Sequence, residues 1–196
     1  GQCLDKLGRS QDARASIARA SEINPRSADA LANLGGLLMS DGFGNQQDAR
    51  EISAIGDRIL QLNPQAAMGY VLKAVGVMGA AAKPGDKEFD EAAKAADRAL
   101  ELHPRSAEAW AVKGFAALGA GEVEEATRSL GRGLELQPRY TWLRVLYARC
   151  LFAAEREQEA RQCLDAGLHD HANDIEFLVN ASELLEGTGS SDDAIS

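Results

Sequence analysis

The sequence predicts an all-α fold, a solenoid of stacked antiparallel helix pairs running through its 196 residues. Three observations predict it. Four of the five prolines, Pro25, Pro64, Pro104 and Pro138, close the same kind of tetrad (Glu-Ile-Asn-Pro, Gln-Leu-Asn-Pro, Glu-Leu-His-Pro, Glu-Leu-Gln-Pro) at spacings of 39, 40 and 34. Twelve residues before each proline stand Ala13, Ile52, Ala92 and Ala126, and that ladder continues at Ala160 and Ala194. A second ladder of small residues, Gly1, Gly35, Ala74, Gly114, Ala148 and Ser182, precedes the first by 12, 17, 18, 12, 12 and 12 residues. Self-similarity at a fixed period marks a repeat architecture. Two helices cross closely only where side chains are small, and each pair then buries its remaining apolar stripe on its neighbours. Proline removes a helical hydrogen bond, so it marks the turn before the next helix or that helix's start.

The units follow in order, with about eleven helices in all. A partial repeat spans 1–27, and Gly1 falls in the middle of a first helix, so the stub is expected to fray and upstream residues to stabilise it. The copy at 28–66 is the least regular. Ile52 and Ile59 stand where small residues are expected, which leaves the local packing open, and Gly56 weakens its helix by about 1 kcal/mol relative to alanine. The copy at 67–106 carries Tyr70, Ala74, Ala92, Ala96, Ala99 and Pro104. Both of these copies are lengthened between their helices, by Ser40–Gln47 and by Gly79–Phe89. The breakers Gly42, Gly44, Pro84 and Gly85 make these segments surface loops or short helix extensions on one edge. The copy at 107–140 is the most regular, with Trp110, Gly114, Gly121, Ala126, Leu130, Gly133 and Pro138 inside one 34-residue unit. In the copy at 141–174, Ala172 replaces the boundary proline, and a partial copy runs over 175–196.

This pattern resembles the tetratricopeptide repeat, a family built on the same period with bulky, small, alanine, apolar and proline positions in that order. The string Gly42-Phe43-Gly44-Asn45-Gln46-Gln47-Asp48 is similar to the variable turn of the related Sel1-like repeats. The resemblance implies a right-handed superhelix in which the first helix of each pair lines a concave face. It also implies that the family's ligand-contacting positions carry over, and these fall on Asn33, on Val71, Val75 and Met78, on Phe115, and on Trp142, Val145, Arg149 and Phe152. Leu72, Val112 and Leu146 hold such positions too but are expected to pack on the next repeat. The Lys, Asn and Arg set with which chaperone-binding members clamp a C-terminal carboxylate is missing. What remains is an apolar, Arg-anchored groove suited to the apolar face of a helix or to an extended peptide.

Charge and composition narrow the function further. Thirty acidic against 21 basic residues give −9, which argues against a nucleic-acid or anionic-membrane partner. Residues 139–196 hold 5 Arg and no Lys against 11 acidic residues, −6 of that total, so a solvated face or a basic partner is expected there. The most apolar stretch, 68–82, is broken by Lys73 and is shorter than a membrane span. Three cysteines form no close pairing motif, which favours a reducing compartment, the cytoplasm by default, with Cys150 and Cys163 read as core thiols and Cys3 without an obvious partner. No methionine, basic segment or cleavage site stands at the start, so the chain reads as an excised segment.

Catalytic, cofactor and metal chemistry find no constellation. His103, His169 and His171 fall in repeat-closing turns, and His169-Asp170-His171 lacks further ligands at useful spacing. Asp86, Glu88, Asp90 and Asp97 imitate a calcium loop, but Glu91 replaces the required central glycine. Gly119-Ala120-Gly121 is an interhelix turn without the preceding strand of a phosphate loop. The expected function is a non-catalytic scaffold that takes a protein or peptide in the groove. Two alternatives are a self-assembly unit pairing through exposed array ends and a regulatory segment of a larger enzyme.

Overall fold

A computed structural model describes Arg19 and residues 27–40, 46–170 and 174–189. Among the described residues there are nine helices and no strand: α1 Ala28–Ser40, α2 Gln46–Leu62, α3 Ala67–Met78, α4 Lys87–Leu102, α5 Ala107–Ala120, α6 Val123–Leu136, α7 Thr141–Ala153, α8 Glu157–Asp170 and α9 Ile175–Gly189. Each helix packs on the next in the chain, and α1–α3, α3–α5 and α7–α9 also touch across the pairs. The result is an all-α helical solenoid. The readings made on residues 1–18, on the Gly42–Asn45 turn, on His171 and Ala172, and on 190–196 lie outside the described residues.

The prolines do what their chemistry requires. Pro64, Pro104 and Pro138 sit in one turn repeated three times, in which Ala66, Ser106 and Tyr140 donate their N–H to the carbonyls of Asn63, His103 and Gln137 at 3.0, 3.1 and 3.2 Å. Side chains start the following helices in several places: Ser27, Ser106 and Asp174 accept from the N–H three residues on, at 3.2, 3.1 and 3.1 Å. Within a pair the turn is left-handed, at Gly121 (φ 84°) between α5 and α6 and at Glu155 (φ 59°) one 34-residue period later. Glycine adopts that conformation freely and glutamate does not, so the second turn is strained where the first is relaxed.

Three apolar clusters fill the solenoid in sequence, over α1–α5, α5–α7 and α7–α9. Ile52 and Ile59, which the sequence pattern left as misfits, are buried at 0% and 1% exposure in the first cluster. The opposing helix accommodates them. An added Cβ at Gly69 would lie 3.1 Å from Ile59 Cγ2, and one at Gly76 would lie 2.6 Å from the Ala49 carbonyl oxygen and 2.7 Å from the Ser53 nitrogen. Gly56 is equally constrained, because its Cβ would stand 2.8 Å from backbone atoms of Gly69 and Lys73. The bulk that this copy carries on α2 is thus matched by absent side chains on α3, and the two backbones approach each other directly. Gly56 therefore gains a packing role that its helix propensity alone did not suggest.

The lengthened segment between α3 and α4 is anchored at two places. The Asp86 carboxylate accepts from the N–H groups of Ala82 and Lys83, both at 3.0 Å, and Gly85 N–H donates to the Gly119 carbonyl at 2.7 Å. Phe89 then lies over Gly119, where a side chain of any size would collide with its ring.

Candidate partner-binding faces

On α7, Trp142, Val145, Arg149 and Phe152 are spaced by 3, 4 and 3 residues and so form one helical stripe. Trp142 is 52% exposed, unusual for so large an apolar side chain, and Arg149 is exposed. Val145 and Phe152 are half-buried against the last core cluster, and Phe115 on α5 is half-buried between the first two. Val179 on α9, one 34-residue period after Val145, is 51% exposed.

The Trp142 ring is held in place. It stacks on Tyr140 with ring centroids 6.0 Å apart and 30° between planes, and the Tyr140 hydroxyl donates to Glu108 Oε1 at 3.0 Å. A carboxylate on α5 therefore fixes a tyrosine in the α6–α7 turn, and the tyrosine carries the indole. Burial, and then the adjacent Glu108 carboxylate, push the Tyr140 phenol up to about 12. The unfolded chain releases this proton near pH 10, whereas the folded chain keeps it, so stability from this group declines between about pH 10 and pH 12. A phenolate titration at about 295 nm will show a component delayed to about pH 12 that disappears in Tyr140→Phe.

Three positions expected on the face are not there. Val71, Val75 and Met78 are 1%, 0% and 5% exposed, in the core cluster that α3 forms with its neighbours, because the glycine-mediated approach of α2 and the contacts of α1 and α5 enclose this helix. Asn33 on α1 is exposed but stands apart from the α5–α7–α9 stripe. Leu72, Val112 and Leu146 are buried, at 0%, 5% and 8%. Of the expected set, Trp142, Val145, Arg149 and Phe152 share one stripe on α7, and Phe115 is half-buried on α5.

A second feature lies on the solvent side of α6 and was not read from the sequence. Lys73 pairs with Asp57 at 2.8 Å, and 40 residues on, Lys113 pairs with Asp97 at 2.7 Å. Another 34 residues on, these two positions hold Tyr147 and Gly131. The ion pair becomes an aromatic ring lying against a bare backbone, with the nearest ring atom 3.2 Å from where a Gly131 Cβ would be. Here the surface opens into a cleft of about 790 Å³ between Trp110 and Tyr147. Aligning the repeats by their unequal periods is the signal that would have found it.

Burial disfavours the thiolate at both cysteines among the described residues. Cys150 is fully buried, which pushes its pKa up to about 11, and burial raises Cys163 as well. No helix among the described residues is long and apolar enough to cross a membrane, and none of their His, Cys, Asp or Glu side chains gather in threes at metal-holding range.

Two tetratricopeptide-repeat family models match the sequence, one over residues 117–178 and the other over 1–67 and 85–138. The chain belongs to the tetratricopeptide repeat family. Members of this family are generally non-catalytic scaffolds for protein interaction, and the nine described helices fit the family's all-α solenoid. Among solved structures, the chain is similar to TTC0263, a thermophilic TPR protein in Thermus thermophilus. That match has 22% identity and a TM-score of 0.75, over 94% of this chain and 95% of that one. It is also similar to YrrB, described as a TPR protein with an unusual peptide-binding site, at 21% identity and TM-score 0.57 over 93% and 89% of the two chains. A third similar structure is MamA from Desulfovibrio magneticus, at 16% identity and TM-score 0.57 over 88% and 92%. No curated protein matches.

Proposed function

We propose that this chain is a non-catalytic interaction module that binds a protein segment along the first-helix face of α5, α7 and α9. The array division used in this reading is 28–66, 67–106, 107–140 and 141–174, flanked by partial copies at 1–27 and 175–196. The observation that carries the reading is the pre-positioned Trp142, half-exposed yet clamped through Tyr140 to Glu108. A rigid aromatic beside an arginine is the composition that dominates interfaces, and holding the ring beforehand lowers the ordering cost of binding. Arg149 forms no ion pair among the described residues, so in a chain of net charge −9 it favours a partner segment with one carboxylate among apolar side chains. The YrrB description, a TPR protein with a peptide-binding site, agrees in kind with such a role. We place the module in a reducing compartment, the cytoplasm by default, because Cys150 and Cys163 are both free.

Selection of random peptides on the immobilised chain tests the proposal. The enriched sequences should combine apolar residues with Asp or Glu. They should bind Trp142→Ala and Arg149→Ala roughly ten- to a hundredfold more weakly, since burying a large apolar side chain contributes about 1.5–3 kcal/mol. Selected peptides that bind both folded variants as tightly as the parent would place the site elsewhere.

A further inference from the structure

The cleft over α6 carries an independent inference. It is lined by the aromatic rings of Trp110 and Tyr147, by the guanidinium groups of Arg128, Arg132 and Arg156, and by the carboxylates Glu124 and Glu135 among others. Its volume, about 790 Å³, lies in the range of ligand-holding clefts. At this junction the Lys–Asp bridge that crosses the two preceding ones is replaced by Tyr147 over Gly131. The helices that flank it from the other side are also less closely tied. Neighbouring first helices α1–α3, α3–α5 and α7–α9 pack on each other, whereas among the described helices α5 and α7 have no comparable contact.

The charge at this cleft is out of step with the chain. Glu125 serves Arg128 on one side, Lys113 at 3.5 Å on another and the Ser129 hydroxyl at 3.2 Å, so one carboxylate is shared by two cations. Its side chain is only 28% exposed, while that of Arg128 is 71% exposed. Arg132 has one carboxylate three residues on along α6, Glu135, and Arg156, just before α8, donates through Nε and Nη2 to the two oxygens of Glu159 at 2.8 and 2.7 Å; the arginine side chains are 51% and 45% exposed. Pairs this exposed are weak, which leaves Arg128 and Arg132 able to exchange their partners for a better-placed anion. The arginine fork also presents more donors than one carboxylate can occupy. Glu124 and Glu135 line the same walls, which disfavours a dense polyanion such as a nucleic acid and favours isolated carboxylates.

We propose that this cleft binds a short acidic peptide segment of a partner protein, with Arg128, Arg132 and Arg156 taking its carboxylates and Trp110 and Tyr147 enclosing an aromatic side chain between them. The site is centred on α6, with Trp110 from α5 and Tyr147 from α7 at its sides, and it uses none of Phe115, Trp142, Arg149 and Phe152.

The protein's two tryptophans report on the two faces separately, because Trp110 lines the cleft and Trp142 lies on the α7 stripe. In Trp142→Phe only Trp110 emits. Titrating this variant with the capped peptide Glu-Glu-Phe-Glu-Glu should change its emission saturably, and added salt should weaken the binding. The isosteric Gln-Gln-Phe-Gln-Gln peptide and the Arg128→Gln/Arg132→Gln variant should each lose at least about tenfold in affinity, a difference of about 1.4 kcal/mol. Both arginines are surface residues, so circular dichroism should report an unchanged fold in that variant. As a second variant, Gly131→Leu crowds Tyr147 and should also weaken binding. The proposal is overturned by any of three results: no saturable change, equal affinity for the glutamine peptide, or a signal seen only from Trp142 in a Trp110→Phe chain.

Discussion

Replacing Arg144 by alanine will destabilise the array by about 2–4 kcal/mol, more than any other single charged side chain in the described structure. Arg144 is 7% exposed and occupies the position held one and two repeats earlier by Trp110 and Tyr70. Three different chemistries perform the same act there. The Tyr70 hydroxyl donates to the Pro64 carbonyl at 3.3 Å, Trp110 Nε1 to the Pro104 carbonyl at 3.0 Å, and Arg144 Nη2 to the Pro138 carbonyl at 3.0 Å, each six residues back. The carbonyl of the turn proline receives a donor from the helix that follows it, and this ties the turn to the repeat. Arg144 does more than its counterparts, because Nη1 also donates to the Cys163 carbonyl on α8 at 3.1 Å, linking the two helices of one pair. Its side chain fills space that Gly167 leaves open beside Phe177, with Cδ standing where a Gly167 Cβ would collide with it. Alanine strands the Pro138 carbonyl, removes the tie to the Cys163 carbonyl of α8 and opens a cavity, while the relief of an uncompensated buried charge offsets part of the loss. Lysine recovers little, since an ammonium cannot span both acceptors with the guanidinium's fixed fork. Urea unfolding followed by circular dichroism will measure the cost. Because repeat stability is a sum over nearest neighbours, amide exchange should accelerate first in α7–α9.

The second large effect has the opposite sign from what helix propensity predicts. Gly76→Ala in the middle of α3 would ordinarily stabilise by about 1 kcal/mol. Here the new Cβ meets the Ala49 carbonyl oxygen and Ser53 nitrogen at 2.6 and 2.7 Å, backbone atoms that cannot rotate away. Separating α2 from α3 disturbs the packing around Ile52 and Ile59, and overpacking of this kind costs about 1–3 kcal/mol. Gly36→Ala on α1 is the matched control, since nothing lies within 4 Å of its added Cβ. That variant should gain stability while Gly76→Ala loses several degrees in thermal midpoint. Equal effects in the two would mean that α2 and α3 are not in backbone contact.

The fold was legible because the residues that encode it are backbone constraints repeated at a fixed period. Proline does the same thing in the turns at Pro64, Pro104 and Pro138, and glycine or alanine recurs at the crossings of most copies. The candidate face was legible only in part. Val145, Arg149 and Phe152 are half-buried or exposed on α7, yet their equivalents Val71, Val75 and Met78 on α3 are buried, because whether a first-helix residue meets solvent depends on how closely the neighbouring helices approach. That distance is set in this copy by Gly56, Gly69 and Gly76, whose effect is visible only once α2 and α3 are placed together. Arg144 was missed for a different reason. Arginine is usually a surface residue, and its burial makes sense only beside the Gly167 gap and the Pro138 and Cys163 carbonyls that accept from it. Tyr147 and Gly131 carry no signal individually and acquire one only as the successors of Lys113 and Asp97.

The central claim, that the α5–α7–α9 face receives the partner, is tested most directly by hydrogen exchange on the whole chain with and without a peptide selected on it. Added protection should concentrate in residues 107–120, 141–153 and 175–189 and should vanish when the same peptide is added to Trp142→Ala. Protection confined to residues 40–47, 79–89 or 123–136, with no change along 141–153, would contradict it.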